Sequence, residues 1–175
     1  MSGAKQSLKE RWIFSFRYID DQIPRASVRT TLTYRFHPNF TAGIEYNPRA
    51  DDVHPLANWL VLHETRKRPA MMIGTSTDRI GTPGGQAYYV TFSKNLRREL
   101  KLPIAPYVGT TYGTYEDRFR PVGGTNVGFT ENFTALTTFD GVHGHQLLTY
   151  SFKQHSISFL LVRFRQPGFS YSVTF

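Results

Sequence analysis

The last eight residues, Gly168-Phe169-Ser170-Tyr171-Ser172-Val173-Thr174-Phe175, carry the pattern that most restricts what this chain can fold into. Successive side chains of an extended strand point to opposite sides, so Phe169, Tyr171, Val173 and Phe175 share one face while Ser170, Ser172 and Thr174 share the other. The same pattern recurs near the start, with Trp12, Phe14, Phe16 and Tyr18 opposed to Arg11, Ser15 and Arg17. Ile13 interrupts the alternation there without restoring a helical period. Alternation is clearest where Val28, Thr30, Leu32, Tyr34 and Phe36 face one side and Arg29, Thr31, Thr33, Arg35 and His37 the other. An aromatic strand left unpaired at a sheet edge invites aggregation, and closing the sheet into a barrel removes the edge.

Composition sets the class of barrel. The chain has 175 residues and reads as a polar arm over residues 1–10 followed by one β-domain over 11–175. It has no cysteine, which excludes disulfides, thiolate metal sites and cysteine catalysis. Mean hydropathy is negative, and no run approaches the roughly 18 apolar residues of a membrane-spanning helix. A membrane-spanning strand needs only about 9 to 11 residues with every second one apolar, so its average looks polar. Aromatics make up 15% of the chain, a share that suits interfacial girdles. The net charge of +8 raises the question of nucleic acid, but the arginines fall at turns or on polar strand faces rather than in one patch, so no nucleic-acid partner is expected.

Beyond the strands at the start, near 28–36 and near 40–46, the pattern predicts strands at 57–64, 70–77, 86–93, 105–115, 122–130, 133–140, 145–152, 156–164 and 168–175. That makes about twelve, an even number that returns both termini to one side. Turn residues at Pro38-Asn39, Arg66-Lys67-Arg68, Glu131-Asn132 and Lys153-Gln154 read as short connections on that side, and 20–26, 47–55, 77–86 and 140–144 as longer loops on the other. The connection 94–103 is the exception, being long, basic and weakly helical where a short turn is expected. The segment Asn39-Phe40-Thr41-Ala42 recurs as Asn132-Phe133-Thr134-Ala135, and an Asp-x-Val-His group follows each, at 51–54 and 140–143. Duplicated hairpins and reused turn chemistry both account for this.

Gln166, Gly168, Tyr171, Val173 and Phe175 resemble the C-terminal assembly signal of bacterial outer-membrane β-barrels. The resemblance implies an all-β, antiparallel, up-and-down transmembrane barrel of the Gram-negative envelope, with this segment as its closing strand and the outer membrane as its location. Met1-Ser2-Gly3-Ala4-Lys5 lacks the apolar core of a signal peptide, so a natural export signal is expected to have been replaced by the initiator Met.

Two groups of residues are candidates for function. With apolar faces outward, Arg17, Arg29, Arg35, Glu45, His63 and Arg163 line the pore, and their excess of arginine over carboxylate favours anions. Inward Arg and Glu also pair into a plug in small barrels, and a twelve-strand barrel lies between the filled and open sizes. Gly109, Gly113, Gly123, Gly124 and Gly128 leave one wall without bulk, where a ligand or an arm can lie. The second group, Asp51, His54, Asp140 and His143 with Asp52 and His145 beside them, sits on the loop-side rim as solvated turn residues, or as a metal or acid/base set if the loops converge. His155-Ser156 cannot be a simple nucleophile–base pair, because neighbours in a strand face opposite ways. The Asn39 and Asn132 acceptor patterns read as turns, and residues 79–85 as a loop rather than a phosphate cradle, since a strand follows them. The expectation is a porin-like, non-enzymatic barrel: a narrow channel for small, anionic solutes or a structural membrane-anchored subunit. Its partners would be membrane lipid, other envelope proteins or further copies of itself, with no cofactor. An outer-membrane hydrolase and a soluble ligand-binding barrel are the alternatives.

Overall fold

The computed structural model describes residues 10–175, apart from the side chain of Arg98, so the arm expected over residues 1–10 lies outside the description except for Glu10. The first half contains β1 (Trp12–Ile19), a single helical turn α1 (Pro24–Ser27), β2 (Val28–His37), β3 (Phe40–Asn47), β4 (Asp52–Leu62), β5 (Ala70–Thr77) and β6 (Gln86–Ser93). A second helical turn, α2 (Arg97–Leu100), leads to β7 (Ile104–Gly113), β8 (Arg118–Gly128), β9 (Phe133–Phe139), β10 (Gly144–Phe152), β11 (His155–Val162) and β12 (Gln166–Thr174). Every strand pairs antiparallel with its neighbours in sequence, and β1 pairs with β12, so the twelve form a closed up-and-down barrel. The seam is fully bonded: Trp12 N–H donates to the Phe175 carbonyl at 2.8 Å, and Phe175 N–H returns the bond at 2.9 Å.

Closure sorts the side chains by parity. In β2 and β3, Leu32 pairs with Ile44 on the outside, while Thr31 pairs with Glu45 on the inside. Leu32 is 37% exposed and Ile157 59%, whereas Glu45 is 1% exposed. Most aromatics follow the outer face, Tyr89 and Tyr107 being inward, and Trp12, Tyr34, Phe36 and Phe40 form a continuous run of ring contacts near the turn side. Tyr46, Tyr88, Phe139 and Phe169 stand exposed toward the loop side. Inside, hydroxyls pair across strands: Ser172 with Ser15 at 2.9 Å, Ser151 with Ser156 at 2.9 Å, and Thr149 with Ser158 at 2.8 Å.

β4 begins at Asp52 rather than 57, and β8 at Arg118 rather than 122. Proline explains why both early segments can be strand. Pro55 pairs with Ile44 of β3 before β4 meets β5 at Ala57, and Pro121 pairs with Thr110 of β7 before β8 meets β9 at Gly123. Each ring therefore sits where only one side of the strand is laddered, so its missing N–H forfeits no bond. Pro106 and Pro167 occupy equivalent one-sided positions.

The repeated segments start β3 and β9, six strands apart in a ring of twelve and hence opposite each other. Their first residues do the same work: the Asn39 carbonyl accepts Leu60 N–H and the Asn132 carbonyl accepts Ser151 N–H, each at 2.8 Å. Both lie in turns, as read from the sequence.

Candidate functional site

The interior is not evenly filled. On the side formed by β1, β10, β11 and β12, Ile19, Leu160 and Val162 are buried against one another, with Leu147 and Ile80 packed on them. Ile80 belongs to neither neighbouring strand but to the loop 78–85, which therefore folds into the barrel mouth. Arg25 of α1 holds it there. Its guanidinium, buried with the residue only 4% exposed, donates to the carbonyls of Thr82 (2.9 Å), Arg79 (2.8 Å) and Asp78 (3.2 Å) and to Thr82 Oγ1 (2.5 Å). A guanidinium fork satisfies several loop carbonyls at once, which no other side chain does as well. Gly81 and Gly85 take φ of 105° and 99°, a region that favours glycine, and allow the loop to turn back.

A second clamp crosses the mouth. Arg79 Nη2 donates to Glu116 Oε1 at 2.6 Å, and Arg120 reaches Glu116 Oε2 through Nη2 at 2.6 Å and Nε at 2.8 Å. These two guanidinium hydrogen bonds push the Glu116 carboxyl down to about 2. Burial alone would lower the Arg79 pKa, but the Glu116 hydrogen bond and charge raise it above its ordinary value.

Deeper inside, Glu45 accepts Thr77 Oγ1–H at 2.7 Å and Asn47 Nδ2–H at 3.1 Å, and lies 2.5 Å from Arg29 Nη2. Arg17 stands directly across from Arg29 in the β1–β2 ladder. This wall thus sets two guanidinium groups against one carboxylate. Arg35 is on the same face near the turn side, opposite Thr41. His63 and Arg163 are not on the wall. A register shift between Leu60 and Leu62 ends β4, which leaves His63 in the exposed turn, hydrogen-bonded to Asn39 Nδ2 at 2.8 Å. Arg163 follows the end of β11 with φ of 54°, and its guanidinium lies 3.9 Å from Asp21 at the mouth.

The wall of β6 to β9 is the hollow one. A cavity of about 320 Å³ is lined there by Tyr89, Thr91, Tyr107, Gly113, Arg118 and Thr138, with Arg79, Glu116 and Arg120 at its mouth. Gly109 and Gly124 face inward, as expected, but Gly123 faces outward, paired with Val108. Gly124 leaves room for the Tyr107 ring, whose hydroxyl bonds Thr138, and Gly74 does the same for Tyr89, which bonds Asn58.

At the rim the partners differ from the expected set. His54 pairs with Asp52 through Nε2 at 2.6 Å and with Gln86 Oε1 through Nδ1 at 3.0 Å, while Asp51 is exposed in the turn. Asp140 pairs with His145, not His143: His145 Nε2 lies 2.9 Å from Asp140 Oδ2. His145 Nδ1 accepts Arg163 N–H at 3.2 Å, so Nε2 carries the proton and donates to Asp140. Burial alone would raise the Asp140 carboxyl, but His145 and the His143 and Val142 N–H groups hold it below its ordinary value. Burial lowers the His143 imidazole against the opposing pull of Asp140. The two Asp–His pairs belong to β4 and β10, on opposite sides of the ring, and no side-chain hydroxyl is hydrogen-bonded to any of these imidazoles among the described residues. Nor do the described residues contain a group of three ligands able to hold a metal ion. His155 faces outward onto the Tyr171 hydroxyl at 2.7 Å, and Ser156 inward.

Sequence reasoning missed Arg25, Arg79 and Glu116. Glu116 is one residue of a four-residue connection, and only its partners, Arg79 of the loop 78–85 and Arg120 of β8, mark it. No family model matches the chain, and no curated protein matches it.

Proposed function

We propose that this chain is an outer-membrane barrel of non-enzymatic type whose lumen is a narrow channel for small solutes, anions in preference to cations. On this reading the outward belt meets hydrocarbon, the exposed rings near the strand ends lie at the two interfaces, and the guanidinium-bearing wall faces water. The observation that carries it is the uneven lumen. The Ile19–Leu160–Val162 side is packed shut, while the glycine-bearing side keeps a cavity of about 320 Å³ beneath the loop 78–85. A solute path is confined to that side and passes Arg79, Arg118 and Arg120 on entry. Deeper, Arg17 and Arg29 with the single Glu45 leave a net positive wall, which lowers the barrier for anions.

Single-channel recording of the purified protein in planar bilayers tests this. The expected result is small, anion-selective steps that enlarge in Arg25→Ala, where the loop is released. Stable insertion with no conductance in either form contradicts the channel. It would instead support a structural, membrane-anchored subunit, a second reading favoured by the clamped mouth. A hydrolase built on the rim gains nothing from Asp–His pairs half a turn of the ring apart.

A further inference from the structure

The β4–β5 connection (63–69) and the β6–β7 connection (94–103) are joined by Lys94. Its ammonium donates to the carbonyls of Thr65 at 2.6 Å and Arg66 at 3.1 Å, and lies 3.6 Å from both Glu64 and Glu99. Asn95 N–H also donates to Glu64, at 3.1 Å. One buried-side lysine thus ties the two connections into a unit and occupies the carboxylates within it. Around that unit Arg66, Lys67, Arg68, Arg97 and Lys101 are exposed, and none of them makes an ion pair with the described residues. Residues 1–9 contain no carboxylate that could neutralise them.

Two leucines share the same unit. Leu100, the last residue of α2, is 54% exposed and Leu102 52%, while Phe92 and Leu62 stand exposed on the outer face at the adjoining strand ends. Exposed apolar side chains on the same connections as a cluster of exposed cations are what the boundary between acyl chains and anionic headgroups selects. A nucleic acid would use the cations and leave the leucines in water.

We propose that the two connections form a docking surface for anionic phospholipid in the leaflet at the terminus side of the barrel, with headgroup phosphate on Arg66, Arg68, Arg97 and Lys101 and acyl chain on Leu100 and Leu102. This rests on the membrane reading above. It also explains why the one long connection on the turn side is long: it supplies the second half of the surface.

The test uses the full chain reconstituted in vesicles of phosphatidylcholine with one fifth phosphatidylglycerol, then extracted into mild detergent and weighed with its retained lipids by native mass spectrometry. Wild type is expected to retain phosphatidylglycerol at least about tenfold over its share in the vesicle, since each cation near a lipid surface contributes roughly fivefold. Arg66→Gln/Arg68→Gln/Arg97→Gln/Lys101→Gln is expected to retain both lipids in proportion to their supply, and Leu100→Ser/Leu102→Ser to lose lipid of either kind. Excess inorganic phosphate should not displace the lipid; displacement would show a loose phosphate site and overturn the proposal. Retention without headgroup preference in wild type, or preference unchanged in the glutamine variant, also overturns it. Resistance of each reconstituted form to denaturation in gel electrophoresis without boiling verifies folding. A wild type that never inserts into either lipid would overturn the membrane reading and this surface with it, whereas insertion without preference overturns the surface alone.

Discussion

Glu45 receives two neutral donors and one guanidinium on the inner wall that also carries Arg17. Glu45 is 1% exposed, and its loss leaves Arg29, Thr77 and Asn47 without their shared acceptor, so Glu45→Ala is expected to destabilise the barrel by about 2–3 kcal/mol. Urea unfolding followed by tryptophan fluorescence in detergent checks this, with Glu45→Gln recovering part of the loss because one acceptor oxygen remains. Glu116 titrates differently, because it sits at the mouth between Arg79 and Arg120. Its folded-state value of about 2 lies below its ordinary one, so the clamp contributes fully above the ordinary carboxylate range and is lost as pH falls toward about 2. Channel conductance is expected to stay level from about pH 7 down to that range and to rise as acid releases loop 78–85. Glu116→Gln should show the enlarged conductance already near neutrality and lose most of the acid step.

The loop 78–85 is held in the mouth by Arg25, which lies more than fifty residues earlier in the chain and bonds three of its carbonyls, together with Ile80 and the Arg79–Glu116 pair. Arg25→Ala is expected to free the loop while leaving the twelve-strand ring closed. Trypsin cleavage at Arg79, absent in wild type and rapid in the variant, checks this, with the sheet content by circular dichroism unchanged. The contrast with the strands is physical. A period of two over eight or more residues is a local signal, and it identifies every one of the twelve strands to within a few residues, including the terminal Phe169–Phe175 run that seals against β1. The exceptions are also local in origin. Pro55 and Pro121 look like strand breakers until the pairing reveals that one side of each is unladdered, and His63 looks like a wall residue until the shift at Leu60/Leu62 ends the strand. A clamp such as Arg25–Thr82, by contrast, has no periodic trace. It exists because two loops of unrelated sequence are brought to the same mouth by the closed ring, and nothing in the segment around Arg25 distinguishes a buried fork from a solvated turn. The rim is alike: the spacing of Asp140, His143 and His145 does not say which imidazole meets the carboxylate, and β10 turns His145 toward it.

The ring as a whole sorts the side chains of its strands into an inner and an outer face. Val108, near the middle of β7, is 64% exposed on the outer face, and its neighbours there are Phe92 and Gly123. If hydrocarbon is the outer solvent, Val108→Arg carries a charge to the centre of the belt at a cost of about 2–4 kcal/mol, seen as a lowered urea midpoint in vesicles. In a water-soluble barrel the same exposed substitution would be within about 0.5 kcal/mol of neutral. The chain has no cysteine of its own, so single cysteines report on the two sides without background. The most direct measurement is therefore labelling of Val108→Cys and Thr91→Cys in the protein reconstituted in lipid vesicles. Thr91 lines the inner cavity. The expected result is that Thr91→Cys reacts with a small water-soluble methanethiosulfonate and Val108→Cys reacts only with a lipid-soluble maleimide. Rapid reaction of Val108→Cys with the water-soluble reagent, in vesicles that hold the folded barrel, would contradict the assignment of the outer belt to hydrocarbon.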